Sequence, residues 1–180
     1  MRKLILACLF AAPAFPGTIT FNGIGGANAD VFTTYAEEGF TVNSTTGFWQ
    51  KGQLFGNPLP SIFSSSATAS ITITGGSFTF SSFDFGNASP LSGLTWSAAG
   101  FFSSIQVLTG SGSGPGTNIF TTIASPNSNT VLDTLVLTAN RGNTSSYNFD
   151  NIVLISVPEP ATISLAAAGL LFAVWRRRRQ

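Results

Sequence analysis

The chain has 180 residues, 43% of them hydrophobic, with eight basic side chains against seven acids and no histidine. Without histidine the commonest general base and imidazole metal ligand is missing; the formal net charge is +1, but residues 15–157 hold two basic side chains against six acids, which leaves no basic face for nucleic acid. A single cysteine, Cys8, excludes a disulfide framework within the chain.

Met1-Arg2-Lys3 is a short cationic start, Leu4–Ala12 an apolar run and Ala12-Pro13-Ala14 a small-residue cleavage site. That order reads as a secretory signal peptide over residues 1–14, with a helical apolar stretch and a mature start near Phe15. Cys8 leaves with it, so the mature chain has no thiol nucleophile. Residues 15–157 keep Lys51 and Arg141 against Asp30, Glu37, Glu38, Asp84, Asp133 and Asp150, a net charge of −4. The body is therefore mildly acidic, and the positive charge sits at the two ends of the chain.

Residues 15–156 are rich in Ser, Thr, Gly, Asn and Phe, a composition that favours strands and turns, and they are enough for one domain. Strands are expected at Thr18–Asn22 and Gly39–Asn43. In Ser70–Thr74, Ile71 and Ile73 share one face, a period-2 pattern, and Gly75-Gly76 reads as a turn. Phe78 and Phe80 are then out of step with Phe83 and Phe85. A β-bulge near Ser81-Ser82 reconciles them, keeping all four rings inward and turning Asp84 outward. Leu94–Ala98, Ser104–Thr109, Asn118–Ala124 and Val131–Ala139 follow as strands, with Ser111–Gly116 as a loop. In Ser146–Val157, Phe149, Val153 and Ile155 fall on one face and Ile152 and Leu154 on the other. A strand apolar on both sides belongs in the middle of a sheet. Many short strands at this spacing predict an all-β, antiparallel two-sheet sandwich, with a jelly roll as its form. Phe83-Asp84-Phe85 and Phe149-Asp150-Asn151 share a Phe-Asp core, which reads as a pair of equivalent strand ends.

Pro158 and Pro160 fix φ and lack an N–H, so they end the last strand, and Pro160 suits the first turn of a helix. Ala161–Trp175 is an apolar run that spans roughly 22 Å as a helix, against a hydrocarbon core of about 30 Å. Arg176, Arg177, Arg178 and Arg179 form a cationic membrane stop that keeps the C-terminus cytoplasmic and everything before Val157 outside. A single short C-terminal transmembrane helix is therefore expected, with its arginines snorkelling.

This order of elements over residues 157–180, with Pro158, Glu159 and Pro160 at its head, resembles the PEP-CTERM sorting signal of Gram-negative bacteria. The resemblance implies an exosortase-type enzyme that recognises the motif, removes the tail and releases or transfers the body. Such a protein is exported across the inner membrane, transiently anchored, and then surface-bound or extracellular.

Tyr147-Asn148-Phe149-Asp150-Asn151-Ile152-Val153-Leu154 resembles the closing strand of jelly-roll domains related to carbohydrate-binding modules and galactose-binding-like folds. The resemblance implies a structural calcium ion held by Asp150 together with Glu37 or Glu38. The alternative is a strand-end aspartate satisfied by backbone donors. Trp49 and Trp96 are candidates for stacking on a sugar ring. Trp96, in the alternating Leu94-Thr95-Trp96, fits a core position more readily, which leaves Trp49 as the better candidate. Glu37 and Glu38 are adjacent and would take opposite faces of a strand, a poor acid–base pair. The expected function is thus a non-catalytic surface or extracellular protein associated with the envelope or an exopolysaccharide matrix. Its alternatives are a glycan-binding module and, third, a small glycan-acting hydrolase.

Overall fold

A computed structural model describes residues 16–87, 92–116 and 118–158, with Gly169, Val174 and Arg177 as isolated helical positions. The signal peptide expected over 1–14, most of the apolar run 161–175, and Glu159, Pro160, Arg176, Arg178 and Arg179 lie outside the described residues. Among the described residues no helix is long and apolar enough to cross a membrane.

The described chain is all-β, and every strand pairing is antiparallel. In chain order the strands are β1 (Pro16–Ile19), β2 (Val31–Phe32), β3 (Thr34–Glu37), β4 (Phe40–Thr46), β5 (Trp49–Gly52), β6 (Ser61–Ser64), β7 (Thr68–Asn87), β8 (Thr95–Phe102), β9 (Ile105–Ser113), β10 (Phe120–Ala124), β11 (Val131–Asn140) and β12 (Tyr147–Ser156). The main path of hydrogen-bonded neighbours is β2-β5-β6-β12-β7-β11-β8-β9, with β1 on β12, β10 and β4 on β7, and β3 on β4. The expected strands are present except that β1 runs Pro16–Ile19 instead of Thr18–Asn22, with Phe21 at a φ of 58° beyond its end; β9 extends through the expected Ser111–Gly116 loop as far as Ser113, and β2, β3, β5 and β6 are additional.

β7 organises the fold. It is 20 residues long. Its first part, Thr68–Thr74, pairs with β4 and β11, whereas its second, from Phe78 on, pairs with β12 and β10 and, at Phe78 and Thr79 alone, with the start of β11. Between them Gly75-Gly76-Ser77 face only Asp133 on β11, so β7 turns a corner there. The Gly75-Gly76 turn expected from sequence is thus corrected to a bend inside one strand. A reversal would pair the two halves with each other, and each half has better partners elsewhere. Gly75 leaves room for the Phe40 ring, whose Cδ1 lies 2.7 Å from where a Cβ would stand.

Because the sheet folds over, strands that are not paired meet across its interior. The Trp49 indole of β5 donates to the Ser70 carbonyl of β7, and the Phe83 ring of β7 meets Trp96 of β8 edge-on. The arrangement is consistent with a β-sandwich. Phe78, Phe80, Phe83 and Phe85 are all fully buried, and burying each ring contributes about 2 to 3 kcal/mol before ordering entropy is counted. The expected bulge is present: Val153 faces Ser82 and Leu154 faces Phe80, so Ser81 is the extra residue. β12 carries a second bulge between Asp150 and Val153, with Asn151 at a φ of 42°. That irregularity overturns the simple alternation read from sequence. Phe149, Ile152 and Leu154 all reach the core, while Val153 and Ile155 are half-buried. β12 is a central strand as expected, with β7 along one edge and β6 followed by β1 along the other.

Candidate functional site

The register of β7 and β12 places Asp84 directly opposite Asp150, and Phe85 opposite Phe149. The shared Phe-Asp core of the two segments therefore marks two halves of one cross-strand ladder rather than two similar strand ends. With the rings turned to the core, the carboxylates lie on the other face of the sheet. Asp84 does leave the core as expected, yet it is buried all the same, as is Asp150. The cover is polar: Asn57, in the connection between β5 and β6, and Thr122 of β10 both bond to the acids.

Asp150 Oδ2 accepts the Asn57 backbone N–H at 2.7 Å, and its Oδ1 accepts the N–H of Asn151 at 2.8 Å. Asp84 Oδ2 accepts both side-chain amides, Asn57 Nδ2 at 3.0 Å and Asn151 Nδ2 at 2.8 Å. The Thr122 hydroxyl donates to Asp84 Oδ1 at 2.6 Å. Asn151 Nδ2 also bonds to the Asn57 carbonyl, which closes the circuit. Nearby, the Phe55 and Phe120 rings stack at 4.9 Å, and the Ser61 hydroxyl holds the Phe55 carbonyl. Desolvation raises the Asp150 carboxyl to about 7; the N–H groups of Asn57 and Asn151 oppose this, and the charges of Asp84 and Glu37 add to it. Two facing carboxylates with one raised pKa form a pattern found in acid–base sites. Here every carboxylate oxygen already accepts a hydrogen bond from the chain itself, so the pair acts as a latch between β7, β10, β12 and the β5–β6 connection.

Glu37, at the end of β3, is also engaged internally. Its Oε2 accepts the N–H groups of Thr20 (2.7 Å) and Phe21 (3.0 Å), and its Oε1 the Thr20 hydroxyl (2.8 Å). Glu38 is exposed in the β3–β4 turn, at a φ of 52°. Among the described residues no three His, Cys, Asp or Glu side chains form a group able to hold a metal ion.

Of the two tryptophans, Trp96 takes the core position its alternating segment favours, whereas the stacking reading of Trp49 is corrected. Trp49 is fully buried, stacked on Phe149 at 5.2 Å and edge-on to Tyr147 at 5.8 Å, and Trp96 is 8% exposed against Phe83. Neither offers a face to a sugar. For Trp49 the cause is β5, which lies along β6 and aims the indole across the interior at Ser70.

Asn57, Thr122 and Asn151 were not legible as site residues. The repeated Phe-Asp was the one available signal, and it located the two acids without their partners.

At the C-terminal end, Ser156 pairs with Phe78 and the Val157 N–H donates to the Ser77 carbonyl at 2.7 Å. Pro158 follows immediately and has no N–H with which to continue the ladder.

Residues 156–179 match the PEP-CTERM protein-sorting motif, as Pro158-Glu159-Pro160 led us to expect. No curated protein matches the sequence. Among solved structures, a DUF4465 family protein from Bacteroides caccae is 8% identical, with 79% of this chain and 100% of that one covered and a TM-score of 0.52. The family 32 carbohydrate-binding module of C. perfringens NanJ, solved with galactose, is 16% identical over 67% of this chain and 98% of its own, with a TM-score of 0.47. The corresponding module of AlyQ, solved with 4,5-unsaturated mannuronic acid, is 16% identical over 73% and 98%, with a TM-score of 0.40. The likeness to the first is one of fold alone.

Proposed function

We propose that this is an exported, non-catalytic surface or extracellular protein of a Gram-negative bacterium, sorted through its C-terminal segment by an exosortase-type enzyme acting at Pro158-Glu159-Pro160. The observation that carries the reading is the coincidence of two boundaries. The matched motif starts at residue 156, where β12 makes its last bonds and the described β-domain ends. A body whose last sheet bonds fall at the head of its signal can lose the rest of that signal without losing a strand.

In this reading residues 1–14 direct export, residues 15–156 form the jelly-roll body, and 161–175 with Arg176–Arg179 hold it transiently in the membrane. The body then serves the envelope or exopolysaccharide matrix as a binding or structural unit. Saturation of Asp84 and Asp150 by internal donors supports the absence of catalysis. Contact with polysaccharide does not run through Trp49 or Trp96, which are committed to the core.

Intact mass and cell fractionation test this together, on the full chain and on a chain lacking 157–180, in hosts with and without an exosortase-type enzyme. Expected are loss of both ends with the enzyme, retention in the membrane fraction without it, and release of the shortened chain. The same location for the full and the shortened chain in both hosts would overturn the reading.

A further inference from the structure

The body and its C-terminal segment are joined without a linker. Val157 is still bonded to the sheet, and the apolar run starts at Ala161, so at most about 14 Å of extended chain separates them. A bilayer's headgroup layer is itself about 5 to 8 Å deep on each side. While the segment is inserted, the end of the sandwich from which it leaves is held against the headgroups.

The registers identify what else lies at that end. Ser156 pairs with Phe78 and Phe78 with Leu132. On the next residue of β11, Asp133 Oδ2 accepts the Ser103 N–H at 2.6 Å, and Thr134 pairs with Phe101. The β8–β9 turn therefore sits on the row where β12 ends, three strands away, or roughly 15 Å. Phe102 and Ile105 face each other across the base of that turn and are 41% and 68% exposed. Val131, which opens β11 on the same row, is exposed as well. No charged side chain occurs from Phe85 to Leu132, so the hairpin itself carries none, and the adjacent Asp133 is half-buried, its carboxylate held by the Ser103 N–H and the Thr134 hydroxyl. Glu38, exposed in the β3–β4 turn at this end, restricts the apolar contact to the β8–β9 side.

We propose that this end of the sandwich rests on the lipid surface while the C-terminal segment is inserted, with Phe102 and Ile105 as the side chains that enter the interface. This rests on the reading of residues 157–180 as a membrane anchor. It gives the body a fixed orientation, with Phe48 and the start of β12 at the end directed away from the bilayer.

The test uses the chain from Phe15, which has no other cysteine, retaining 157–180, in vesicles of phosphatidylethanolamine and phosphatidylglycerol. A fluorophore is attached to Ile105→Cys or to Phe48→Cys, the latter a 47% exposed site next to Trp49, which pairs through Ser64 with Tyr147 at the opposite end. Lipid-borne nitroxide is expected to quench the label at 105 several-fold more than the label at 48, and deletion of 157–180 to abolish the difference. Carbonate extraction run alongside reports insertion. Resistance to extraction with equal quenching at 105 and 48 overturns the lipid contact alone, whereas loss of resistance overturns the anchor reading and the contact with it. Shielding at 105 that persists without lipid and without 157–180 assigns the surface to a second copy of the chain, and also overturns the proposal.

Discussion

Asp150 holds its proton more tightly folded than unfolded, because burial and the facing Asp84 both penalise its charge. Its ordinary value is 3.8 and its folded value about 7. The folded state therefore binds the extra proton in that window, and the stability this contributes is complete below the lower value and lost as the pH rises through the upper one. The melting temperature is expected to fall between about pH 4 and about pH 7 and the fall to flatten in Asp150→Asn, as followed by circular dichroism. An unchanged slope in the variant would remove Asp150 as the cause. Trp49→Ala, which empties a stacked and hydrogen-bonded core position, should cost about 3 to 5 kcal/mol in urea melts. The sequence around Trp49 concealed this. Its neighbours Gly47 and Gln50-Lys51 show no alternation, and the four-residue strand Trp49–Gly52 takes its burial from β6. The latch was illegible for a similar reason, since Asn57 and Asp150 are 93 positions apart and nothing local to either predicts the meeting.

Strands that alternate over five or more residues were readable, because each residue's facing is set by its neighbours two positions away. β8, β11 and the start of β7 are of this kind. β2, β3, β5 and β6 have four residues or fewer and owe their form to the strands they join. At the β7 corner Gly75-Gly76 breaks the pattern in the sequence, while the strand's continuation is set by partners far along the chain. The two glycines differ, and that difference is testable. A Cβ on Gly75 would press into the Phe40 ring, whereas one on Gly76 meets nothing within 4 Å. Gly75→Ala is expected to destabilise by about 1 to 3 kcal/mol through overpacking, and Gly76→Ala to stay within about 0.5 kcal/mol of the parent. Equal losses in denaturant melts would mean that the corner depends on backbone freedom rather than on room for Phe40.

On the scale of the whole molecule, the described sheet makes its last main-chain bond at Val157, inside the matched sorting motif. Removal of 158–180 should leave the melting temperature of the body unchanged, since Val157 makes the last main-chain bond to the sheet, whereas ending the chain at Asn151 should prevent folding by deleting half of a central strand. Calorimetry of the two truncated chains checks both outcomes. The position of β12 also has a mechanical consequence. Its ladder bonds run across the strand, to β7 on one edge and to β6 and β1 on the other. Drag on the body, transmitted to whatever holds the C-terminal end, pulls β12 along its own axis. The bonds on both edges then share the load in shear instead of parting one after another, so the domain is gripped by the strand best placed to withstand tension.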